Sequence, residues 1–437
     1  MEHAMTRRQM HLISVFTTGA EVGTWTHPWA ENAYRDAAWW GRIAQTLERA
    51  KFDAMFFADA QAFYGDVNPR KGGDLFLLDP TVLAASIAAV TARLGLGLTV
   101  STSLFNPYGI ARSLGTLDVL SQGRVAWNVV TSAFDEEARR HGMDGLLPKD
   151  QRYDRADEVV EACLRLWNSF PEDAYLADKA SSTFLDPSKL QPFEYSGTYV
   201  GTKGPISTPP SPQGHPVVMQ AGSSPRGRDF AARWAEIIFT YQRTAESMQA
   251  FRADIDSRLA QFGRAGQRVL IVPQVQAIVG ETEGIARDKR EYLLSLIDEE
   301  AALLRASHTT KLDLLTMDPQ AKIGDIDTAG LSRGGTMDTF LTAMAVDDLT
   351  VIEAARRYGL NDLGPQLVGT PVQVADQLEH MFEAWGNDGF AFRNSALPTS
   401  IDDVARAVVP VLQERGVFRT EYEGSTLREH LGTAVSG

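Results

Sequence analysis

The sequence is poor in features that mark several large protein classes. It contains a single cysteine, Cys163, among 437 residues. That excludes an intrachain disulfide and suits a reducing compartment. No apolar run approaches the roughly 18 residues that a membrane-spanning helix requires, and no apolar segment follows the charged N-terminus as it would in a secretory signal. We therefore expect a cytoplasmic protein, with no membrane partner and with Cys163 in its core.

Positive charge is also scarce. The chain has 42 lysines and arginines against 56 aspartates and glutamates, which gives a net charge of −14. A chain with this balance repels phosphate backbones and anionic surfaces, so we expect no nucleic-acid partner.

Motifs of several common chemistries are absent or badly placed. The eight histidines show neither HxH nor HExxH spacing and there is no cysteine pair, so we expect no metal site. GxGxxG and GxxxxGK[ST] do not occur, which leaves Rossmann dinucleotide binding and a P-loop without support. Residues 330–334 match GxSxG, but the segment before them is a poor buried strand. We interpret this as a chance match; a hydrolase would require ester turnover that Ser332→Ala abolishes.

What the sequence does contain is a regular alternation of apolar strands and amphipathic helices. It predicts eight strands, at 10–16, 53–58, 94–102, 124–131, 216–221, 236–241, 269–279 and 389–393. This pattern favours a (β/α)₈ TIM barrel, with a doubly wound open sheet as the alternative. Two irregular stretches, at about 170–214 and 297–369, are expected to be large insertions after strand 4 and after strand 7. The whole chain, 1–437, would then form a single domain.

Polar side chains cluster at the predicted strand ends. In such folds the ligand lies outside the carboxyl ends of the strands. Asp59 follows the second strand, Thr102 and Ser103 end the third, and Asn128 lies near the end of the fourth. Their mixture of donors and acceptors suits a ligand edge such as an isoalloxazine ring. A helix cap or loop salt bridge is the alternative for Asp59.

A second polar group lies where the fifth predicted strand gives way to a helix. Ser223 and Ser224 precede Pro225 at this point. Backbone N–H groups and the helix dipole make such a position favourable for phosphate, although an ordinary serine cap has the same sequence.

The predicted rim is also rich in aromatic residues, which favours an apolar or aromatic substrate shielded from water. They are Trp25, Trp29, Phe63, Tyr64, Phe105, Tyr108, Phe134 and Tyr241. As general acid or base candidates we consider His27, in the first loop, and His141, in the fourth; a structural role is the alternative for each.

Taken in order, these segments resemble bacterial-luciferase-like flavin monooxygenases. The resemblance is to the branch that contains nitrilotriacetate, dibenzothiophene-sulfone and long-chain alkane monooxygenases, and it covers nearly the whole chain. Its markers are residues 52–59 (Phe-Asp-Ala-Met-Phe-Phe-Ala-Asp), 101–103 with Pro107-Tyr108 and Ala111-Arg112, 121–132 (Ser-Gln-Gly-Arg-Val-Ala-Trp-Asn-Val-Val-Thr-Ser), Arg152-Tyr153 leading into Glu158, and 220–224 (Gln-Ala-Gly-Ser-Ser). Each marker is weak alone, but their order is specific.

The resemblance implies a TIM barrel that binds reduced FMN (FMNH₂) supplied by a separate NAD(P)H-dependent flavin reductase. Oxygen would react with the flavin to a C4a-hydroperoxide, which oxygenates a small organic substrate. By position, the flavin ring and ribityl chain would contact Asp59, Thr102, Ser103, Asn128 and Tyr153, and the phosphate would contact Ser223 and Ser224. Relatives imply a homodimer or homotetramer.

The chain departs from the family pattern at two places in the loop beyond the fourth strand. Lys149 stands where relatives often have histidine, four residues before Tyr153. Arg139-Arg140-His141 stands where relatives usually read Arg-Asn-Phe. Two other functions remain open: a deazaflavin-dependent dehydrogenase on the same barrel, and a flavin-binding protein without turnover.

Overall fold

Eight parallel strands form a closed barrel in the computed structural model, which describes residues 7–21, 23–63, 67–73, 75–327, 336–361 and 363–433. The strands are β1 His11–Phe16, β2 Ala54–Phe57, β3 Gly95–Ser101, β4 Val125–Val130, β5 Val217–Gln220, β6 Ile237–Thr240, β7 Leu270–Val279 and β8 Gly389–Arg393. Each strand pairs with the next, and β8 returns to β1 with His11 opposite Gly389. The TIM-barrel prediction is confirmed, and closure rules out the open doubly wound sheet.

The helices surround this barrel. They span Ala37–Arg49, Val67–Lys71, Pro80–Ala88, Pro107–Leu120, Asp135–Arg140, Lys149–Asn168, Pro225–Trp234, Ala245–Gln261, Glu283–Ser295, Glu299–Thr310, Thr336–Val346, Val351–Asn361, Pro371–Trp385, Thr399–Asp403, Val409–Glu414 and Leu427–Leu431. Asp79 caps the helix Pro80–Ala88 as its sequence predicts, with its carboxylate accepting from the N–H of Thr81 at 2.8 Å and of Val82 at 3.0 Å.

Alternate strand residues point inward and fill the barrel with apolar side chains. The interior cluster comprises Ile13, Val15, Ala54, Phe56, Ala126, Val217, Met219, Ile237, Phe239, Leu270, Val272, Ala391, Leu427 and Leu431. The last two come from the helix Leu427–Leu431, and the N–H of Leu427 donates to the carbonyl of Gly123 at 2.8 Å, just before β4 begins. The amino-terminal mouth of the barrel is therefore plugged, which leaves the opposite mouth for a ligand.

Two long segments interrupt the barrel after β4 and after β7, as predicted. The first contains two antiparallel hairpins, Tyr175–Asp178 with Thr183–Leu185 and Glu194–Ser196 with Gly201–Lys203. The second contains four helices between 283 and 361 with a hydrophobic core of their own around Phe340, Met344 and Tyr358. It ends in a short strand, Gln366–Gly369, which the sequence did not predict and which extends β7 in parallel.

Cys163 lies in the core, as predicted. It is fully buried in the helix Lys149–Asn168, and its thiol donates to the carbonyl of Pro107 at 3.4 Å. Within the described ranges, no helix is long and apolar enough to cross a membrane.

Candidate functional site

A cavity of about 620 Å³ opens at the carboxyl ends of β2, β3, β4 and β5. This volume is typical of small-molecule and cofactor sites. Its walls combine polar strand-end residues with apolar side chains from the neighbouring helices, such as Ile110 and Leu114. The position agrees with the rule that barrel ligands bind at the carboxyl ends of the strands.

One end of the cavity is formed by a hydrogen-bonded chain of three side chains. The Nε2 atom of His141 lies 2.6 Å from Oε1 of Gln61, and the Gln61 side chain also hydrogen-bonds the carboxyl of Asp59. Asp59 and Gln61 line the cavity, whereas His141 is exposed and packs edge-on against Phe105 with ring centroids 5.2 Å apart. The structure thus brings together two predicted residues, Asp59 and His141, through a glutamine that the sequence analysis did not single out.

Asp59 sits in an unusual electrostatic environment. Burial raises the pKa of its carboxyl to about 7, and the nearby negative charges of Asp79 and Glu137 act in the same direction. The hydrogen bond from Gln61 opposes this shift only in part. A carboxyl that exchanges its proton near neutral pH can act as a proton donor or acceptor for a bound ligand.

The other end of the cavity lies where β5 meets the helix Pro225–Trp234. The hydroxyl of Tyr153 hydrogen-bonds the side chains of Ser224 and Gln220, and burial raises its pKa. Gln220 lines the cavity, and its Oε1 atom is buried without a hydrogen-bond partner among the described residues. A buried acceptor of this kind is costly unless a ligand or water satisfies it.

Gly222 allows the Tyr153 and Gln220 side chains to pack against the backbone at this end. A Cβ atom on Gly222 would lie 2.7 Å from the Tyr153 hydroxyl oxygen and would also collide with the Gln220 side chain. Ser224 caps the following helix, accepting from the N–H of Gly227 at 3.2 Å. Ser223 is exposed, and its carbonyl accepts from Nε of Arg228 at 2.9 Å.

Three of the residues predicted to contact a flavin do not line the cavity. The Thr102 hydroxyl donates to the carbonyl of Val130 at 3.0 Å and the Ser103 hydroxyl to that of Thr131 at 2.8 Å, so both link the end of β3 to β4. Asn128 is buried, and its amide donates to the Thr99 hydroxyl at 2.9 Å. None of the three lines the cavity, and their contact with a flavin stays a prediction.

Other residues at the ends of β3 and β4 line the cavity. They include Thr99, Val100 and Ser101 of β3, together with Ser132 beyond β4. The Ser101 and Ser132 hydroxyls lie 2.8 Å apart. Because three consecutive residues of β3 line the cavity, strand alternation alone does not identify them. No sequence signal pointed to Gln61 or Glu137.

His27 lies apart from the cavity. Its ring is buried against Trp29 and Tyr292, and its Nδ1 atom accepts from the N–H of Trp29 at 3.1 Å. Burial and the nearby Lys289 lower its pKa. A buried neutral ring in this position is typical of a structural histidine, and a catalytic role for His27 stays a prediction.

Of the predicted aromatic rim, Phe105 and Phe134 line the cavity. Trp29 is 68% exposed. Tyr64 and the GxSxG segment 330–334 lie outside the described residues.

A second cavity, of about 440 Å³, adjoins the first and shares Ala133 and Phe134 with it. Lys149, one of the positions where the chain departs from the family pattern, lines this second cavity together with Arg139. Among the residues the structure describes, no group of three or more His, Cys, Asp or Glu side chains is placed to hold a metal ion.

The barrel and its polar carboxyl-end cavity define a TIM-barrel protein with a ligand site where barrel enzymes have theirs. Residues 14–389 match the luciferase-like monooxygenase family, to which the chain belongs. The predicted family is therefore confirmed, and the protein is a flavin-dependent monooxygenase.

Similar proteins cover nearly the whole chain. It is 42% identical to dibenzothiophene-sulfone monooxygenase of Rhodococcus erythropolis (strain XP) over 442 residues, covering 98% of each chain. It is 36% identical to nitrilotriacetate monooxygenase component A of Aminobacter aminovorans over 439 residues, covering 98% of this chain and 97% of that one. The crystal structure of a riboflavin lyase with modified FMN and riboflavin superposes with a TM-score of 0.87, at 33% identity over 98% of this chain and 96% of that one.

Proposed function

We propose that the protein is the oxygenase component of a two-component monooxygenase, which binds reduced FMN in the 620 Å³ cavity and oxygenates a small organic substrate there. The observation that carries the proposal is the end of the cavity around Gln220. There a buried acceptor without a partner among the described residues and a tyrosine hydroxyl, both packed closely against Gly222, lie beside the start of a ten-residue helix.

The residues present fit FMN. The phosphate would lie at the start of the helix Pro225–Trp234, held by Tyr153, Ser224 and backbone N–H groups, because a helix N-terminus favours negative charge. Ser223, at the same turn, would contribute its hydroxyl. The ring would extend towards Asp59, past the strand ends that carry Thr99 and Ser101. Bound reduced FMN would supply the electrons that activate oxygen.

The protein's own groups would then control protons and water. Asp59, with a pKa of about 7, could donate a proton to a bound ligand or accept one from it. Gln61 hydrogen-bonds both Asp59 and His141 and so links the two side chains. Phe105 and Phe134 cover the cavity with apolar surface, which limits the access of water.

The proposal also covers the cofactor and its supply, the location of the protein and its assembly. Reduced FMN would come from a separate NAD(P)H-dependent flavin reductase, a view supported by the name "component A" of the Aminobacter relative. The riboflavin lyase with modified FMN supports the choice of FMN. The single cysteine supports a cytoplasmic location. A single domain and a homodimer or homotetramer complete the proposal.

The proposal is tested by anaerobic titration of the purified protein with reduced and with oxidised FMN. We expect tighter binding of the reduced form and a loss of about tenfold or more in Gln220→Ala, because a hydrogen bond to a polar ligand group is removed from a buried site. Gln261→Ala, an exposed glutamine at the end of a helix, is the matched control.

Oxygenated buffer is then mixed with the complex, and reoxidation of the flavin is followed by its absorbance. Kinetics that differ from those of free reduced FMN would support an oxygenase. No preference for the reduced form, together with hydride transfer to a deazaflavin, would indicate a dehydrogenase instead. Binding with the kinetics of free flavin would indicate a binding protein without turnover.

A further inference from the structure

The second cavity differs from the rest of this acidic protein in its charge. Four cationic side chains line it, against two carboxylates. The cations are Arg139, Lys149, Arg152 and Lys311, and the carboxylates are Asp135 and Glu136. In a chain of net charge −14, such a local excess of positive charge needs an explanation.

The two carboxylates accept hydrogen bonds or pair with other residues, whereas none of the described cations of this cavity pairs with a carboxylate. Oδ1 of Asp135 accepts from the N–H of Leu146 at 2.9 Å, and Glu136 pairs with Arg140 at 3.3 Å, an arginine outside the cavity lining. Within the described part of the chain, none of the four lining cations forms an ion pair with a carboxylate. Their charge is therefore available to a ligand.

Arg152 is partly buried, whereas Lys311 is exposed at the surface and lies against an aromatic ring. Arg152 donates through one terminal nitrogen to the carbonyl of Ser132 at 2.6 Å, while its buried Nε has no partner among the described residues. The Nζ atom of Lys311 lies 4.7 Å from the centre of the Phe134 ring, and partial burial lowers its pKa. A charge held away from water, such as that of Arg152, interacts more strongly with an incoming anion than a charge on an open surface.

Backbone groups add to the positive potential. The 20-residue helix Lys149–Asn168 begins at this cavity, and Pro148, which precedes it, provides no side-chain cap. The first N–H groups of a helix have no partners within the helix, and its dipole places partial positive charge at this end. Lys149 and Arg152 belong to this first turn.

We propose that the second cavity binds the anionic group, a carboxylate or sulfonate, of the substrate. The apolar body of that substrate would extend past Phe134 into the first cavity. This inference rests on the proposed function, since it assigns the first cavity to the flavin and the reacting part of the substrate. The flavin phosphate is assigned to different residues, around Gly222 and Tyr153.

Isothermal titration of the FMN-loaded protein with matched acid and amide probes tests this inference. The probes are benzoate and benzenesulfonate against benzamide and benzenesulfonamide. We expect the acids to bind about tenfold or more tightly than the amides, since charge-assisted hydrogen bonds are the stronger kind. The triple variant Arg139→Gln/Lys149→Gln/Lys311→Gln should lose this preference while its FMN affinity stays unchanged. Lys179→Gln, an exposed lysine on a hairpin, is the control.

Several outcomes would overturn the inference. One is that the acids fail to bind at millimolar concentration or bind no better than the amides. Another is that the triple variant, folded by its thermal midpoint, keeps the preference. If the triple variant binds FMN less tightly but keeps the acid preference, the cations contact the flavin and not the substrate. If the wild type fails to bind FMN but shows an acid preference that the triple variant loses, the proposed function is refuted and the anion site is supported.

Discussion

Asp59→Asn should gain stability relative to the wild type as the pH rises from 5 to 8, and it should be the more stable protein at pH 8. Burial and the neighbouring charges of Asp79 and Glu137 raise the pKa of Asp59 to about 7 in the folded protein, whereas an aspartate in the unfolded chain titrates near 3.9. Between these two pKa values the folded state holds a proton that the unfolded state has lost. The contribution of Asp59 to stability is therefore fully present below about pH 4 and is lost as the pH rises to about 7.

The magnitude follows from the same pKa values. One proton of difference changes the free energy of unfolding by about 1.4 kcal/mol for each pH unit, so the wild type loses roughly 2–3 kcal/mol through this group between pH 5 and pH 7. Since Asp59 is half-buried, we expect about 2 kcal/mol. The asparagine side chain cannot ionise, so the variant escapes this loss.

Urea unfolding of both proteins without ligand, at pH 5 and pH 8, measures the effect. Asp144→Asn, an exposed aspartate in the loop before the helix Lys149–Asn168, should show the same stability difference from the wild type at both pH values. If Asp59→Asn also shows a pH-independent difference, or is less stable than the wild type at pH 8, then burial does not raise the pKa of Asp59 as described above.

Three further substitutions test other parts of the structure. Gly222→Ala places a Cβ 2.7 Å from the Tyr153 hydroxyl oxygen and should weaken reduced-FMN binding about tenfold or more in an anaerobic titration; unchanged affinity would place the phosphate elsewhere. Asp53 is fully buried, which raises its pKa, but Arg419 at 2.6 Å, His11 at 2.9 Å and the N–H of Leu12 at 2.7 Å together outweigh burial and hold that pKa below its usual range. Asp53→Asn should therefore lower the free energy of unfolding, measured with urea at pH 7, by about 3–5 kcal/mol. The difference from the wild type should shrink as the pH falls through the lowered pKa of Asp53. A difference under about 1 kcal/mol would contradict the importance of the Asp53–Arg419 pair. The Glu158 carboxylate accepts hydrogen bonds from three successive backbone N–H groups of a hairpin turn at 2.7–3.0 Å. Glu158→Gln should therefore speed hydrogen exchange of the amides at 198–200, and unchanged protection of these amides would contradict the contact.

The barrel could be predicted from the sequence because its strands are buried on both faces and therefore read as continuous apolar runs between amphipathic helices. Apolar periodicity predicts one helix from about Tyr153, but that helix begins at Lys149, because Lys149, Asp150 and Gln151 form a polar first turn without apolar periodicity. The sequence also predicts a helix from Pro80 to Ala92. That helix ends at Ala88, and the Glu48 carboxylate binds the backbone N–H groups at 92–94.

The site was predicted less completely for a related reason. Sequence position shows where a strand ends, but not whether a hydroxyl there faces the cavity or binds a neighbouring carbonyl. The hydroxyls of Thr102 and Ser103 bind neighbouring carbonyls. Gln61 and Gln220 acquire their importance from partners 80 and 67 residues away, His141 and Tyr153, and such long-range contacts leave no trace in the local pattern.

The plug at the amino-terminal mouth of the barrel has a consequence for how the protein is made. Leu427 and Leu431 belong to the same interior cluster as strand residues such as Ala54, and Arg428 bonds the buried Glu236 at 2.8 Å. A polypeptide that stops before residue 427 would contain all eight strands and yet leave their inner side chains open to water. During synthesis, the core can therefore be completed only after residue 431 has left the ribosome, and a nascent chain with its strands already formed still exposes apolar surface to which chaperones can bind.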